Sequence, residues 1–493
     1  MIEQAPALII VIPLIAAFLT LFIGRWKEYL CYPWVCLIGL TSFILSLLVL
    51  MQVLAHGPIH YHFGSWLPPW GIEYAIDHLN AFMLVLVSFI SLLVLIYSKN
   101  SVRQELPGKI VYFYTVILLL ITGLMGIVIT GDMFNLYVFT EISALSAYAL
   151  IAVGDKKAPV ASFNYLVMGT IGTCFYLLGV GYLYMVTGTL NMADLAQRLP
   201  DLYQSKVVLV GLSFFLVGLA LKMGLFPLHL WLPDAYTHAP STVSALIAPT
   251  MTKVSAYVLI RVLFTVFKPA FISGLIPLTQ ILSWLAVGAI IFGSIWAIAQ
   301  YDLKRMLAYS SIAQIGYIVL GISLVNRLAL TGSLLHILNH ALMKGCLFLI
   351  AGAIIYRTGT RDIRQFRNLN LRKHMPLTLI AFVIAALAMV GIPPTCGFFS
   401  KWYLILGALA KQEWFFAVIL VVGSLLSAVY FFKVIEQLWL APPDKDQTPT
   451  PIKEAPLSML LPIGILVLGI LTAGIFSGTI IEYLLQFALP AGL

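Results

Sequence analysis

Apolar residues run along this chain in long blocks, and polar residues collect in the short gaps between them. At 1.5 Å per residue, blocks of this length cross a hydrocarbon core of ~30 Å. The pattern predicts about fourteen membrane-spanning helices, near 7–24, 31–54, 77–97, 110–130, 133–153, 159–187, 207–236, 240–265, 273–299, 307–325, 328–356, 375–409, 412–440 and 457–485. Two of these segments are unusually long and are interrupted, by Gly224-Leu225-Phe226-Pro227 and by Gly391-Ile392-Pro393-Pro394, offset by 167 residues. Proline removes a backbone donor and disrupts the turn before it, and hydrocarbon cannot repair that loss. A pair of broken spans in corresponding positions points to an internally repeated transporter. Alternation along the chain makes the two breaks cross in opposite senses, as an inverted repeat requires.

Composition agrees. Of 493 residues, 61% are hydrophobic and 10% are charged, with mean hydropathy +1.01, so little remains for a soluble domain. The expected fold is an all-α polytopic membrane protein of about fourteen helices with two inverted five-helix repeats, each holding a broken helix. The expected organisation is 1–109 (helices 1–3 with a loop), 110–268 (first repeat), 269–440 (second repeat) and 441–493 (helix 14). The first apolar run has Glu3 and no basic residue before it and no small-residue cleavage site after it, so it reads as a retained helix. Cys31, Cys36, Cys174, Cys346 and Cys396 are scattered among apolar runs, without zinc or iron-sulfur spacing, and read as buried thiols. The 56–76 loop, with His56, His60 and His62, is expected to be an interfacial hairpin or loop with an aromatic belt, in preference to a metal site.

The net charge of +9 gains meaning once assigned to sides. Seventeen Lys and Arg fall on one side: Arg25, Lys27, Lys99, Arg103, Lys109, Lys156, Lys157, Lys304, Arg305, the six between 357 and 373, Lys445 and Lys453. Five fall on the other: Arg198, Lys206, Lys268, Arg327 and Lys411. The positive-inside rule then places both termini outside. The run from Arg361 to Arg367 reads as a solvated connector, or as a contact for anionic lipid or a partner subunit.

Six basic residues lie within spans. Arg261 and Lys433 sit near helix ends and are expected to snorkel or pair locally, Lys433 with Glu436. Lys222, Lys253, Lys344 and Lys401 are deep, where a lysine costs roughly 2.5 to 3.5 kcal/mol on insertion scales. Glu141 is the one acidic residue deep in a span, and Lys222 is its natural counter-charge. A carboxylate alone in an apolar medium holds its proton and one beside an ammonium releases it, so the pair offers two arrangements close in energy. A permanent salt bridge between two helices is the structural alternative. His336, His340 and Lys344 recur every four residues and form one stripe, with Asn339 beside it. Histidine accepts a proton at one nitrogen while donating from the other, which suits a relay. A metal site or a hydrogen-bonded core are the rivals, and no carboxylate accompanies the row. Ser310, Ser311 and Gln314, with Lys253, are placed to bridge the stripe toward Lys222 through water. Lys401 follows the second break by seven residues, as a terminal proton acceptor or exit gate.

With these residues in place, the sequence resembles the antiporter-like subunits shared by complex I, membrane-bound hydrogenases and Mrp-type cation/proton antiporters, over nearly the whole chain. Glu141 looks like the family's fifth-helix glutamate, Lys222 like its seventh-helix lysine and Lys253 like its eighth-helix lysine. His340-Ala341-Leu342-Met343-Lys344 is similar to the eleventh-helix relay, and Lys401 occupies the twelfth-helix ionisable site. The stretch from Leu228 to Ser241, with Leu230-Trp231-Leu232-Pro233-Asp234, is highly specific to the family, and Asp132 to Phe139 looks most like the D-type protein of Mrp antiporters.

The resemblance implies a proton-translocating subunit of a multisubunit Na+/H+ antiporter in a bacterial or archaeal cytoplasmic membrane. Its expected partners are other membrane subunits, the lipid bilayer, protons and Na+, with no nucleic acid. No cofactor and no metal is expected on this chain, nor catalytic chemistry of its own. The alternative is a pump subunit of a complex I-like or hydrogenase complex, whose redox cofactors would sit on partners. A non-transporting scaffold is a third reading, which the buried charges oppose.

Overall fold

The computed structural model describes residues 4–440, 452–490 and 492–493, so Glu3 and Lys445 lie outside the described residues. Long apolar helices follow one another in antiparallel order: α1 (Ala5–Trp26), α2 (Cys31–His56), α3 (His78–Glu105), α4 (Ile110–Ile129), α5 (Met133–Ala152) and α6 (Ala158–Thr187). The seventh span is split into α7 (Lys206–Met223) and α8 (Trp231–His238), and α9 (Ser241–Ile260) continues through a wider turn, Arg261–Val266. Then come α10 (Ile276–Ala299), α11 (Leu303–Ser323) and α12 (Arg327–Thr358). A second split span follows, α13 (Pro376–Val390) and α14 (Cys396–Ala410), before α15 (Trp414–Ile435) and α16 (Leu457–Ile475). Among the described residues, 13 helices are long and apolar enough to cross a membrane. The short α13 and α14 together supply one more, which gives the fourteen expected.

Helix boundaries follow the local chemistry. Asp77 and Asn80 form a reciprocal capping box at the start of α3. Asp132, Asp302 and Asn326 accept the first free N–H groups of α5, α11 and α12. Gly224 (φ +68) and Gly391 (φ +94) end α7 and α13 in the left-handed region, where a side chain is disfavoured. Both breaks therefore fall where the Gly-x-x-Pro spacing put them. Spans four to eight and nine to thirteen form the two five-helix units. In the first, α4 packs on α5, α5 on α6 and α6 on α7; in the second, α10 packs on α11, α11 on α12 and α12 on α14. An odd number of crossings per unit makes the second run opposite to the first. Contacts between α9 and α12 join the units.

The two faces of the bundle differ. On one, strands β1 (Ile59–His62) and β2 (Glu73–Ile76) pair antiparallel, so the 56–76 segment is the expected hairpin. Tyr61 donates to Gln4 and Phe487 stacks on His78, which puts Gln4 and Phe487 on this hairpin face. The other face carries the basic connectors. Burial is uneven across the bundle: about nine-tenths of the spanning stretches of α9, α11 and α12 is buried (89%, 94% and 94%), against 39% for α1. These three innermost helices carry Lys253, Gln314, His336, His340 and Lys344. The thiols are free; Cys31, Cys346 and Cys396 are buried, but Cys174 is exposed on the bundle's outer surface and Cys36 is half-buried, which corrects the expectation for those two.

Candidate functional site

The first broken turn leaves Lys222 free. The freed carbonyls at the end of α7 are taken by other donors, Leu225 N–H on Ala220 (2.9 Å) and Trp231 Nε1 on Leu221 (3.0 Å). Lys222 is 8% exposed and its Nζ has no hydrogen-bond partner among the described residues. It borders a narrow cavity of about 30 Å³ lined in part by Thr140, Ser143, Thr173, Tyr176 and Ser255, whose hydroxyls donate to main-chain carbonyls and keep lone pairs able to accept. Such a space holds a water molecule only when it has polar partners, and here it does.

Glu141 is not where the sequence suggested. It is half-buried and shares its side of α5 with the exposed Phe134, Val138 and Leu145. Helical periodicity sets all four on one outward stripe. Glu141 and Lys222 do not touch, since Lys222 Nζ has no hydrogen-bond partner among the described residues. The expected contact pair is thus a pair at a distance.

Lys253 is fully buried on the side of α9 opposite the Lys222 cavity, which α9 lines with Met251, Val254, Ser255 and Val258. Its Nζ donates to Ala248 O (2.6 Å) and Thr252 Oγ1 (3.2 Å). It faces away from that cavity, on the helix that packs against α12 of the second unit. On α12, Lys344 Nζ donates to Leu307 O of α11 (2.7 Å). His336 is held at both nitrogens, Nε2 against Gln314 Oε1 (2.9 Å) and Nδ1 against Ser400 Oγ (2.9 Å). The His340 ring lies 5.8 Å from that of His336, and neither of its nitrogens has a partner among the described residues. Asn339 Nδ2 reaches the Cys396 carbonyl at the second break (2.7 Å). Lys401, 5% exposed, donates to the carbonyls of Met389 and Val390 and stands 5.0 Å above the Tyr317 ring, which stacks on His336.

The structure therefore gathers Lys253, His336, His340, Lys344 and Lys401 into one buried row and leaves Lys222 in a chamber of its own. Ser310 bonds Tyr430 (2.9 Å) and Ser311 its own helix; Gln314 alone joins the row. Arg261 neither snorkels nor finds its ion pair on its own helix; it pairs with Asp77, 184 residues away in sequence. Lys433 departs from its expected partner Glu436 and donates to the carbonyls of Ile298 and Gln300 (3.0 Å each), which α10 leaves free where it ends.

Three groups escaped the sequence reading. On the hairpin face, Glu73 accepts from His60 Nδ1 (2.6 Å) and Asn191 Nδ2 (2.6 Å), and His62 faces Glu73 across the strands. Burial pushes the Asp77 carboxyl up, but the charge and bonds of Arg261 together with the N–H groups of Asn80 and Leu79 outweigh it and hold it below the usual carboxylate range. On the basic face, Asp155 accepts from His238 Nδ1 (2.9 Å) and Arg361 Nη1 (3.1 Å), while Arg361 also pairs with Asp302. Arg361 thus ties the two units together and is no mere connector. Partial burial pushes the Asp155 carboxyl up, but the bonds from His238 and Lys157 N–H and the Arg361 charge outweigh it and leave it low. Only the His60/His62 alternation opposite Glu73 was a usable signal.

Two broken, inverted five-helix units around a buried row of lysines and histidines define an antiporter-like membrane subunit. The chain belongs to the family described as NADH:quinone oxidoreductase/Mrp antiporter, TM, matched over residues 130–427; residues 68–100 match the N-terminus of complex I chain 5. It is 49% identical to NADH-quinone oxidoreductase subunit N of Desulforudis audaxviator, covering 99% of each chain. It is 33% identical to the D-type protein of the Na(+)/H(+) antiporter of Alkalihalophilus pseudofirmus, covering 97% of this chain and 95% of that one. Among solved structures it resembles a chain of the membrane-bound sulfane sulfur reductase, an archaeal respiratory membrane complex, with TM-score 0.90, 33% identity and 98% and 96% coverage. A chain of the Mrp complex from Dietzia sp. DQ12-45-1b shares the fold, with TM-score 0.89, 24% identity and 98% and 96% coverage. Relatives in the family thus bear both antiporter and oxidoreductase names.

Proposed function

We propose that this chain is the proton-translocating subunit of a multisubunit monovalent cation/proton antiporter. The observation that carries the reading is the Lys222 ammonium, buried, without a hydrogen-bond partner among the described residues and bordering a water-sized chamber. An intramembrane ionisable group in that state points to an ion pathway. Glu141 tunes the charge of Lys222 from a distance; Lys253, His336, His340 and Lys344 pass protons laterally through the bundle; Lys401 gates exit. A carboxylate on the outward stripe of α5 is costly against lipid and fits the seat of a neighbouring subunit. The positive-inside rule makes the basic face cytoplasmic and the hairpin face external. Lys222→Ala is expected to abolish proton transport in vesicles while the complex still assembles; normal transport by an assembled variant sinks the relay.

A second reading is a pump subunit of a redox-driven complex, favoured by the oxidoreductase relative at 49% identity. Purifying the native complex in mild detergent distinguishes the two. Small membrane subunits without flavin or iron-sulfur absorbance support the antiporter; hydrophilic subunits carrying those chromophores support the pump.

A further inference from the structure

Beneath the hairpin lies a second cavity, of about 230 Å³, with Glu73, His60, Asp77, Asn80, Thr130 and Arg261 among its walls. It has room for several waters and polar groups to hold them. Arg261 is spoken for by Asp77, so the groups there free to exchange a proton are Glu73 and His60. Glu73 is 5% exposed, whereas 54% of the His60 side chain is exposed, so the pair links the cavity to solvent.

The position of this cavity relative to Lys222 is the informative point. The Lys222 chamber reaches Ile127 on α4 and Val258 on α9; the hairpin cavity begins at Thr130 after α4 and Arg261 after α9. In both cases the interval is three residues, about 4.5 Å of helix rise. The intervening wall holds Tyr257, whose hydroxyl donates to Val128 O (2.9 Å) and accepts from Arg261 Nε (3.1 Å). One bonded hydroxyl and one helical turn therefore separate the two chambers.

From this geometry we infer that the hairpin cavity is the mouth through which protons pass between the hairpin face and Lys222, with Glu73 and His60 as the exchanging pair and Tyr257 as the gate. The inference rests on Lys222 being a proton carrier. It adds a route that serves the first unit directly, separate from the row that ends at Lys401.

The test uses the full chain assembled in its complex, in sealed vesicles of both orientations, with a permanently charged, membrane-impermeant methanethiosulfonate. Thr130→Cys tests the cavity floor and Ala193→Cys its rim; the unsubstituted chain sets the background from Cys174. Both variants are expected to be labelled from the hairpin face only, and labelling should lower the proton transport of Thr130→Cys at least tenfold relative to its own unlabelled rate. Thr265→Cys, on the same cavity wall, takes its place if Thr130→Cys does not assemble. Resistance of the floor position while the rim is labelled overturns the proposal, as does full labelling with unchanged transport. If Lys222→Ala is inactive and floor labelling is without effect, the relay stands and the mouth falls. If Lys222→Ala transports normally, the relay itself falls.

Discussion

Lys401 caps Met389. Its Nζ lies 2.8 Å from the Met389 carbonyl oxygen and 3.0 Å from that of Val390, two acceptors at the end of α13, where carbonyls lose their helical partners. The ammonium also sits at the negative end of the α13 dipole. The first break is finished differently, since Trp231 and Leu225 take the α7 carbonyls and leave Lys222 unengaged.

Lys401→Met removes both donors and strands two buried carbonyls, at a cost of about 1–3 kcal/mol. The purified complex is expected to melt earlier than the parent. Lys401→Arg keeps donors and charge but cannot release a proton, so its melting temperature should hold while transport falls at least about tenfold.

α6 and α7 meet through glycines. A Cβ on Gly218 would stand 2.6 Å from the Gly172 carbonyl oxygen and 2.9 Å from the Tyr176 nitrogen, both backbone atoms that cannot step aside. Gly218→Ala is therefore expected to destabilise the chain by about 1–3 kcal/mol. Gly181→Ala, with nothing within 4 Å of the added carbon among the described residues, should leave the melting temperature unchanged or slightly raised.

Gln314 Oε1 can only accept, so a neutral His336 bonded to it carries its proton on Nε2. Nitrogen-15 solid-state NMR of histidine-labelled protein should find His336 in that single tautomer. Gln314→Leu should mix the tautomers and lose about 1 kcal/mol; Gln314→Glu should preserve Nε2–H. A mixture in the parent protein would contradict the assignment.

On the basic face, the low carboxyl of Asp155 sets a sign for pH dependence. A depressed carboxylate contributes stability above its unfolded value of about 3.9 and loses it as pH falls through the folded value. Asp155 is 39% exposed, so the effect is under about 1 kcal/mol. Unfolding curves of the parent and Asp155→Asn should differ by a constant amount from pH 7 to about 5 and converge below about 4.

The breaks and the buried row were legible because both are conspicuous in lipid: Gly224, Pro227, Gly391 and Pro394 interrupt apolar helices, and Lys253, His336, His340 and Lys344 put charge where it is costly. The outward stripe of Glu141 was not. In a soluble helix the polar face marks the outside, but lipid is as apolar as the core, so Phe134, Val138 and Leu145 read the same either way. Exposed Cys174 was hidden for the same reason. Pairings across the chain were equally out of reach, since Arg261 finds Asp77 184 residues away and Lys433 chose distant carbonyls over the nearby Glu436.

The row on α12 is moored at its ends and loose in the middle. Turning His336 means giving up Gln314 or Ser400, and moving Lys344 means leaving Leu307, whereas His340 swivels about its Cβ–Cγ bond without breaking a single hydrogen bond to the described residues. In hydrogen-bond terms, reorientation along this helix is easiest at its centre, a swivel between two fixed posts.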